Sequence, residues 1–424
     1  MKFDIPKIWK SASARNVGKL LAANIVAQAL GLLVYPLLTR LYTPEDFGVL
    51  NLFASIAGVL VLLSTLEWYN AIVLPEREEE ARAVVLLCLL SVGGLTLLLL
   101  FTVPFAAPIA GLFKSPQLAQ YYWMLPLFVL LTALWNVLNY WYIRHKQYGR
   151  ISGYQISQSL FSIGYKTGFG FLPLAGGLIY ATVLAPLCSL ALSVALAAKN
   201  SLRPLFVWNG NECKKAAVRY ANFPKYSTPR ALLNTVVVQL PILLLTPLFG
   251  NVEVGLYGMS MALSLIPINM LTKALYQVLY RHTNECVQKR LPIYHYYRQF
   301  TYLTLGGCIV LMAALFVPLP WLVKWLLGAE WELTGELIRW MFPWLICYIL
   351  TFSTGFIPDI FAKQKTELLF EILMAVLRVA GLCAGIWAND FVVSIAGYAI
   401  GSALGTGARY IWQMALIRQY ERSL

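Results

Sequence analysis

The stretch LTRLYTPEDFGVL, residues 38–50, returns in altered spelling as LTPLFGNVEVGLY at residues 245–257. At an offset of 207, Thr39 meets Thr246, Leu41 meets Leu248, Asp46 meets Glu253 and Gly48 meets Gly255. Further on, Trp123-Met124-Leu125-Pro126 aligns with Trp340-Met341-Phe342-Pro343, and Lys146-Gln147 with Lys363-Gln364, both at an offset of 217. The ten-residue step fits a longer third loop, 281–299, in the second half. The order and the shared offsets read as one unit written twice.

Both copies are set in apolar sequence. The chain has 424 residues, 59% hydrophobic and 12% charged, where soluble domains carry about 25% charge. That excludes an ordinary soluble domain. Apolar runs of ~20 residues are what a bilayer core demands of a helix. They fall at 17–39, 47–73, 83–105, 119–143, 151–174, 177–198, 229–250, 254–280, 300–322, 337–360, 366–388 and 391–416. An aromatic content of 14% suits interfacial belts of Trp and Tyr.

The net charge of +14 belongs to topology rather than to nucleic acid. With the N-terminus placed in the cytoplasm, 25 of the 33 Lys and Arg fall in inner loops and tails. Four (Arg40, Lys114, Lys324, Arg339) fall outside, and four lie within spans. This positive-inside bias predicts twelve spans with both termini cytoplasmic. The start, MKFDIPKIWKSASARNVGK, has no apolar leader and reads as a cytoplasmic tail. The expected fold is an all-α integral membrane protein, its two six-helix lobes related by a parallel repeat. The expected domains are a lobe at 1–198, a basic cytoplasmic linker at 199–228 and a lobe at 229–424. Transporters with such halves commonly bind cargo near the midplane between them.

Charges stranded in spans are costly, roughly 3 kcal/mol at a helix centre, and mark candidate function. Gln155, Ser159, Ser162 and Lys166 share one face of span 5. Lys166, read as near mid-span, calls for water or an anion. Arg378 lies near the middle of span 11, the repeat partner of span 5, with Glu371 two turns back as a possible ion-pair partner. Span 8 shows Asn269, Lys273 and Gln277 at four-residue spacing; Lys273 either faces substrate or snorkels to the interface. Span 1 offers Asn24 and Gln28. Glu67, in span 2, reads equally as a proton-coupling acid, a partner of Lys273 or a snorkelling carboxylate. Arg409 reads as snorkelling, and Glu367 as an interface residue.

No Walker loop GxxxxGK[ST] is present. The seven cysteines are scattered, and His145, His282 and His295 lack ligand spacing. Neither a metal, a cofactor nor a catalytic constellation is expected, and the chain does not read as an enzyme.

The stretch GKLLAANIVAQALGLLVYPLLTRLYTPEDFGVLNLFASI, residues 18–56, resembles the opening of Wzx-type polysaccharide flippases. These belong to the superfamily of multidrug and toxin extruders and lipid II flippases. LTRLYTPEDFG is its most specific part, and LLGAEW at 326–331 resembles the family's outer-face turn. The resemblance implies a substrate: an oligosaccharide on a polyprenyl pyrophosphate carrier, moved from the inner to the outer leaflet of a bacterial plasma membrane. It implies use in O-antigen, capsule or exopolysaccharide synthesis, beside a polysaccharide polymerase and chain-length proteins. Lys166 and Arg378 would then neutralise pyrophosphate. Lys273, Gln28, Asn24, Gln155, Ser159, Asn269 and Gln277 would line the path, and Glu67 or Glu371 would couple an ion. Two alternatives stand beside it: a cation-coupled drug extruder of the same fold, and a non-transport component of a polysaccharide assembly complex. A cation-lined cavity disfavours the first, and short outer loops disfavour a polymerase.

Overall fold

The computed structural model describes residues 28–172, 174–196 and 210–424, and these form helices and turns with no β-strand. A bilayer leaves no water to satisfy backbone groups, so each segment satisfies its own by coiling. The membrane-type helices are α1 (Gln28–Leu41, the described part), α2 (Pro44–Thr65), α3 (Glu78–Thr102), α4 (Met124–Arg144), α5 (Tyr148–Phe171) and α6 (Gly177–Leu196). An amphipathic helix, α7 (Gly210–Arg219), follows. Then come α8 (Thr228–Phe249), α9 (Asn251–Gln288), α10 (Tyr294–Phe316), α11 (Glu332–Ser353), α12 (Gln364–Trp387) and α13 (Phe391–Arg422).

Ten described helical segments are long and apolar enough to cross a membrane. The other two expected spans are occupied by α1 and by α5, whose polar stripe lowers its hydropathy. The chain is an all-helical, multi-pass membrane protein.

The repeat is visible in where helices begin. α2 starts at Pro44 and α9 at Asn251, the 207-residue offset of the two quoted stretches. These two helix starts are built differently. Thr43 and Asp46 form a reciprocal capping box on α2. The counterpart of Thr43 is Gly250, whose φ of 103° turns the chain sharply between α8 and α9. α5 starts at Tyr148 and α12 at Gln364, within one residue of the 217 offset.

Packing divides the chain into two compact units, Met1–Asn251 and Val252–Leu424. In the first, α8 lies along α2. Just past the end of α8, Gly48 of α2 admits the chain at Asn251, because a Cβ there would stand 1.8 Å from the Asn251 carbonyl oxygen. The repeat assigns α8 to the second half, whereas its packing groups it with the first. Within the basic stretch between the halves, Gly210–Arg219 is helical. In α7, Cys213 and Ala216 are buried against Ala83, Val84 and Trp141 at one end of the first unit. Arg219 and the Tyr220 hydroxyl both bond Glu80 Oε1, at 2.8 and 3.1 Å. Burial and that hydrogen bond hold the Tyr220 hydroxyl above its usual range, so it stays a donor.

The second unit is organised by α12 and α13. Gly381 faces Gly397, and Gly385 faces Ser394, so closely that a Cβ would lie 2.0–2.2 Å from the opposing backbone. Small residues at four-residue spacing let membrane helices approach backbone to backbone.

Candidate functional site

In the first unit, α5 holds Gln155, Ser159, Ser162 and Lys166 along one face, all half-buried. The Tyr42 hydroxyl, from the turn between α1 and α2, donates to the Lys166 carbonyl at 2.8 Å. Burial, with Asp46 nearby, pushes that hydroxyl up to about 12, so it remains a donor. Gly170 makes the contact possible, since a Cβ there would press on Leu41 at 2.9 Å. Among the described residues the Lys166 ammonium has no hydrogen-bond or ion-pair partner. Lys166 is not at mid-span. It lies five residues before the end of α5 at Phe171, about 8 Å along the axis, level with the α1–α2 turn. The helix ends at Phe171, earlier than its apolar run suggested, and Leu172, Ala175 and Gly176 lie in turns. Gln28 is half-buried at the start of described α1. Asn24 lies outside the described residues.

In the second unit, Arg378 is at mid-helix, nine residues from the end of α12. It is buried, with 6% of its surface exposed. Its Nε donates to Ser402 Oγ at 3.0 Å. Its guanidinium lies 5.9 Å from the Trp344 ring and 5.7 Å from the Tyr398 ring, a cation–π setting worth more when desolvated. The possible ion pair with Glu371 is not made; Glu371 is half-buried and, among the described residues, bonds no base. Arg378 is therefore a cation held by aromatic faces and a hydroxyl inside its own unit.

Three other candidates behave differently. Asn269 accepts from the Tyr348 hydroxyl at 2.8 Å, which ties α9 to α11. Lys273 and Gln277 are exposed. Lys273 lies 22 residues beyond Asn251, about 33 Å along α9, past a ~30 Å hydrocarbon core. That position suits snorkelling.

Glu67 does not stand within a span. α2 stops at Thr65, and Leu66 and Glu67 take left-handed φ values of 45° and 59° before a 3₁₀ turn at Trp68–Val73. The buried carboxylate accepts from the Tyr69 hydroxyl at 2.7 Å and from Asn70 Nδ2. Arg409 and Glu367, read separately as snorkelling and interfacial, instead pair with each other, 14% and 15% exposed.

Trp344, Tyr348, Tyr398 and Ser402 were missed by sequence reading. Ser402 alone had a signal, the Gly397–Gly401–Gly405 spacing around it. The described residues hold no cluster of His, Cys, Asp and Glu suited to a metal.

The fold is that of known transporters. An inward-facing multidrug-resistance MATE family transporter of the MOP superfamily superposes with a TM-score of 0.66 at 15% identity, over 98% of this chain and 97% of that one. A MATE protein in complex with MaD3S gives 0.63 at 14% identity, over 97% and 98%. A MOP superfamily transporter from Pyrococcus furiosus, described as having a binding pocket of reverse polarity, gives 0.56 at 15% identity, over 98% and 97%. No curated protein sequence matches. The model of the family described as "Polysaccharide biosynthesis protein" matches residues 37–335, which is 299 of the 424. The chain thus shares the fold of those proteins, and by sequence it belongs to the polysaccharide biosynthesis protein family.

Proposed function

We propose that this transporter flips polyprenyl-pyrophosphate-linked oligosaccharide units from the cytoplasmic to the outer leaflet of a bacterial plasma membrane, by alternating access of two six-helix lobes. The lobes would be residues 1–198 and 229–424, joined by the linker at 199–228, with both termini in the cytoplasm. The observation that carries the reading is the sign of the intramembrane charge. Lys166 in one unit and Arg378 in the other are cations that no carboxylate neutralises among the described residues. A pyrophosphate ester is an anion that cannot cross hydrocarbon unaided.

The two cations have different parts. Lys166, half-buried and unpartnered among the described residues, contacts the pyrophosphate. Arg378 acts from inside its unit through its field, which low-dielectric surroundings screen weakly. Gln155, Ser159 and Gln28 hydrogen-bond sugar hydroxyls. Glu371, which bonds no base among the described residues, is the better candidate for coupling an ion; Glu67 is occupied in its turn.

The test is deletion of the chain in a strain that displays surface polysaccharide. Carrier-linked units should accumulate facing the cytoplasm while surface polysaccharide disappears. Unchanged display would overturn the reading.

A further inference from the structure

We propose that the Arg150 end of the α5–α6 pair binds an anionic phospholipid, on the face of α5 opposite Lys166. A cavity of about 190 Å³ opens there, lined by Gly149, Arg150, Gly153 and Ser157 from α5 and by Leu192 and Leu196 from α6. Small residues make the space: a Cβ added at Gly149 or Gly153 would meet nothing within 4 Å. Its mouth opens at the apolar outer surface of the helix pair, since Leu192 and Leu196 are 39% and 74% exposed.

The cavity is separate from the polar stripe. Arg150 and Ser159, Gly153 and Ser162, and Ser157 and Lys166 are each nine residues apart in α5. Nine residues are two and a half helical turns, so each pair points in opposite directions. A ligand in the cavity cannot touch the stripe.

Charge and size select the occupant. The walls are mostly apolar, with one cation. Arg150 lies 5.5 Å from the Tyr142 ring, which steadies it at the rim. The Tyr142 hydroxyl stands 3.5 Å from Ser193 Oγ, a second polar point on the same wall. The volume is below the ~300–1,000 Å³ of pockets that enclose drug-sized ligands. It admits a phosphate and its first methylenes and excludes an oligosaccharide. On the orientation argued from the basic loops, this end of α5 lies in the cytoplasmic leaflet, where anionic lipids meet Lys and Arg. A phospholipid phosphate on Arg150, with an acyl chain against Gly153, Leu192 and Leu196, meets each constraint.

The full-length chain in detergent is titrated with phosphatidylglycerol, with phosphatidylcholine of the same acyl chains, and with polyprenyl phosphate. Binding is read by thermal shift and native mass spectrometry. Phosphatidylglycerol should raise the melting temperature saturably, and phosphatidylcholine should not. Arg150→Gln should weaken the response about tenfold, the loss of one charged hydrogen bond. Gly153→Leu, which fills the cavity without striking the backbone, should abolish it. Arg150→Lys and Lys166→Gln, monodisperse like the wild type, should keep it. The proposal fails if head groups are not distinguished, or if Arg150→Gln and Gly153→Leu respond as the wild type does. It also fails if Lys166→Gln loses the response, or if polyprenyl phosphate alone binds.

Discussion

Arg378 Nε donates to Ser402 Oγ at 3.0 Å across the crossing of α12 and α13. The residue beside Ser402 makes that bond possible. A Cβ on Gly401 would stand 2.2 Å from the Leu377 carbonyl oxygen, so only glycine lets α13 come this close. Ser402→Ala removes an acceptor from a buried charged group, which costs about 1–3 kcal/mol. Thermal unfolding of the purified chain should show a lower melting temperature; an unchanged one would remove the bond from the account.

Gly401→Val should be more severe, because the clash is with backbone and cannot be relieved by a rotamer. Overpacking of this kind costs about 1–3 kcal/mol or more, and loss of a monodisperse peak on size exclusion is the expected result. Gly307→Ala is the contrast. Nothing lies within 4 Å of a Cβ there, so the change should be neutral or stabilising by up to ~1 kcal/mol.

Lys166→Gln should leave melting unchanged and reduce surface polysaccharide at least tenfold at equal expression. Lys166→Arg should restore most of it, since the charge rather than a specific bond is what the Tyr42-bonded turn presents. Full display by Lys166→Gln would remove Lys166 from the transport path.

Glu367 and Arg409 form the ion pair between α12 and α13. Glu367→Ala strands a half-buried guanidinium and should cost up to about 3 kcal/mol, the lower end for a buried pair. Glu367→Leu combined with Arg409→Met should recover most of that loss, because two apolar residues need no partner. A double variant as unstable as the single one would refute the pairing.

Glu80→Gln weakens the bonds from Arg219 and Tyr220 that help hold the end of α7 to α3. Limited trypsinolysis should cut at Lys214, Lys215 and Arg219 about tenfold faster, the effect of ~1.4 kcal/mol. Unaltered cleavage would mean that the buried contacts of Cys213 and Ala216 suffice alone.

The pairing errors share one cause. Helical spacing placed Glu371 and Arg378 on one face, two turns apart, and suggested an ion pair. The arginine instead turns toward α13 and α11, where Ser402, Trp344 and Tyr398 meet it. Arg409 and Glu367, 42 residues apart, looked like two interface residues and are one pair. Glu67 looked intramembrane because the apolar run continues to Val73, yet left-handed residues at 66 and 67 stop the helix there. Spacing within a helix reports which residues share a face, not which neighbouring helix that face meets.

The amino-acid sequence by itself determined the membrane-spanning class, the repeat and its register. Apolar run length is imposed by bilayer thickness, and duplicated text carries its own alignment; neither depends on packing. The matched starts of α2 and α9 follow from it. Only the tertiary structure decided which stranded charges stay unneutralised. Lys166 has no partner among the described residues, Arg378 is enclosed by rings, Arg409 is paired and Glu67 is held in a turn. A charge in hydrocarbon is defined by what stands within a few ångströms of it, and for these residues most of those neighbours come from distant parts of the chain.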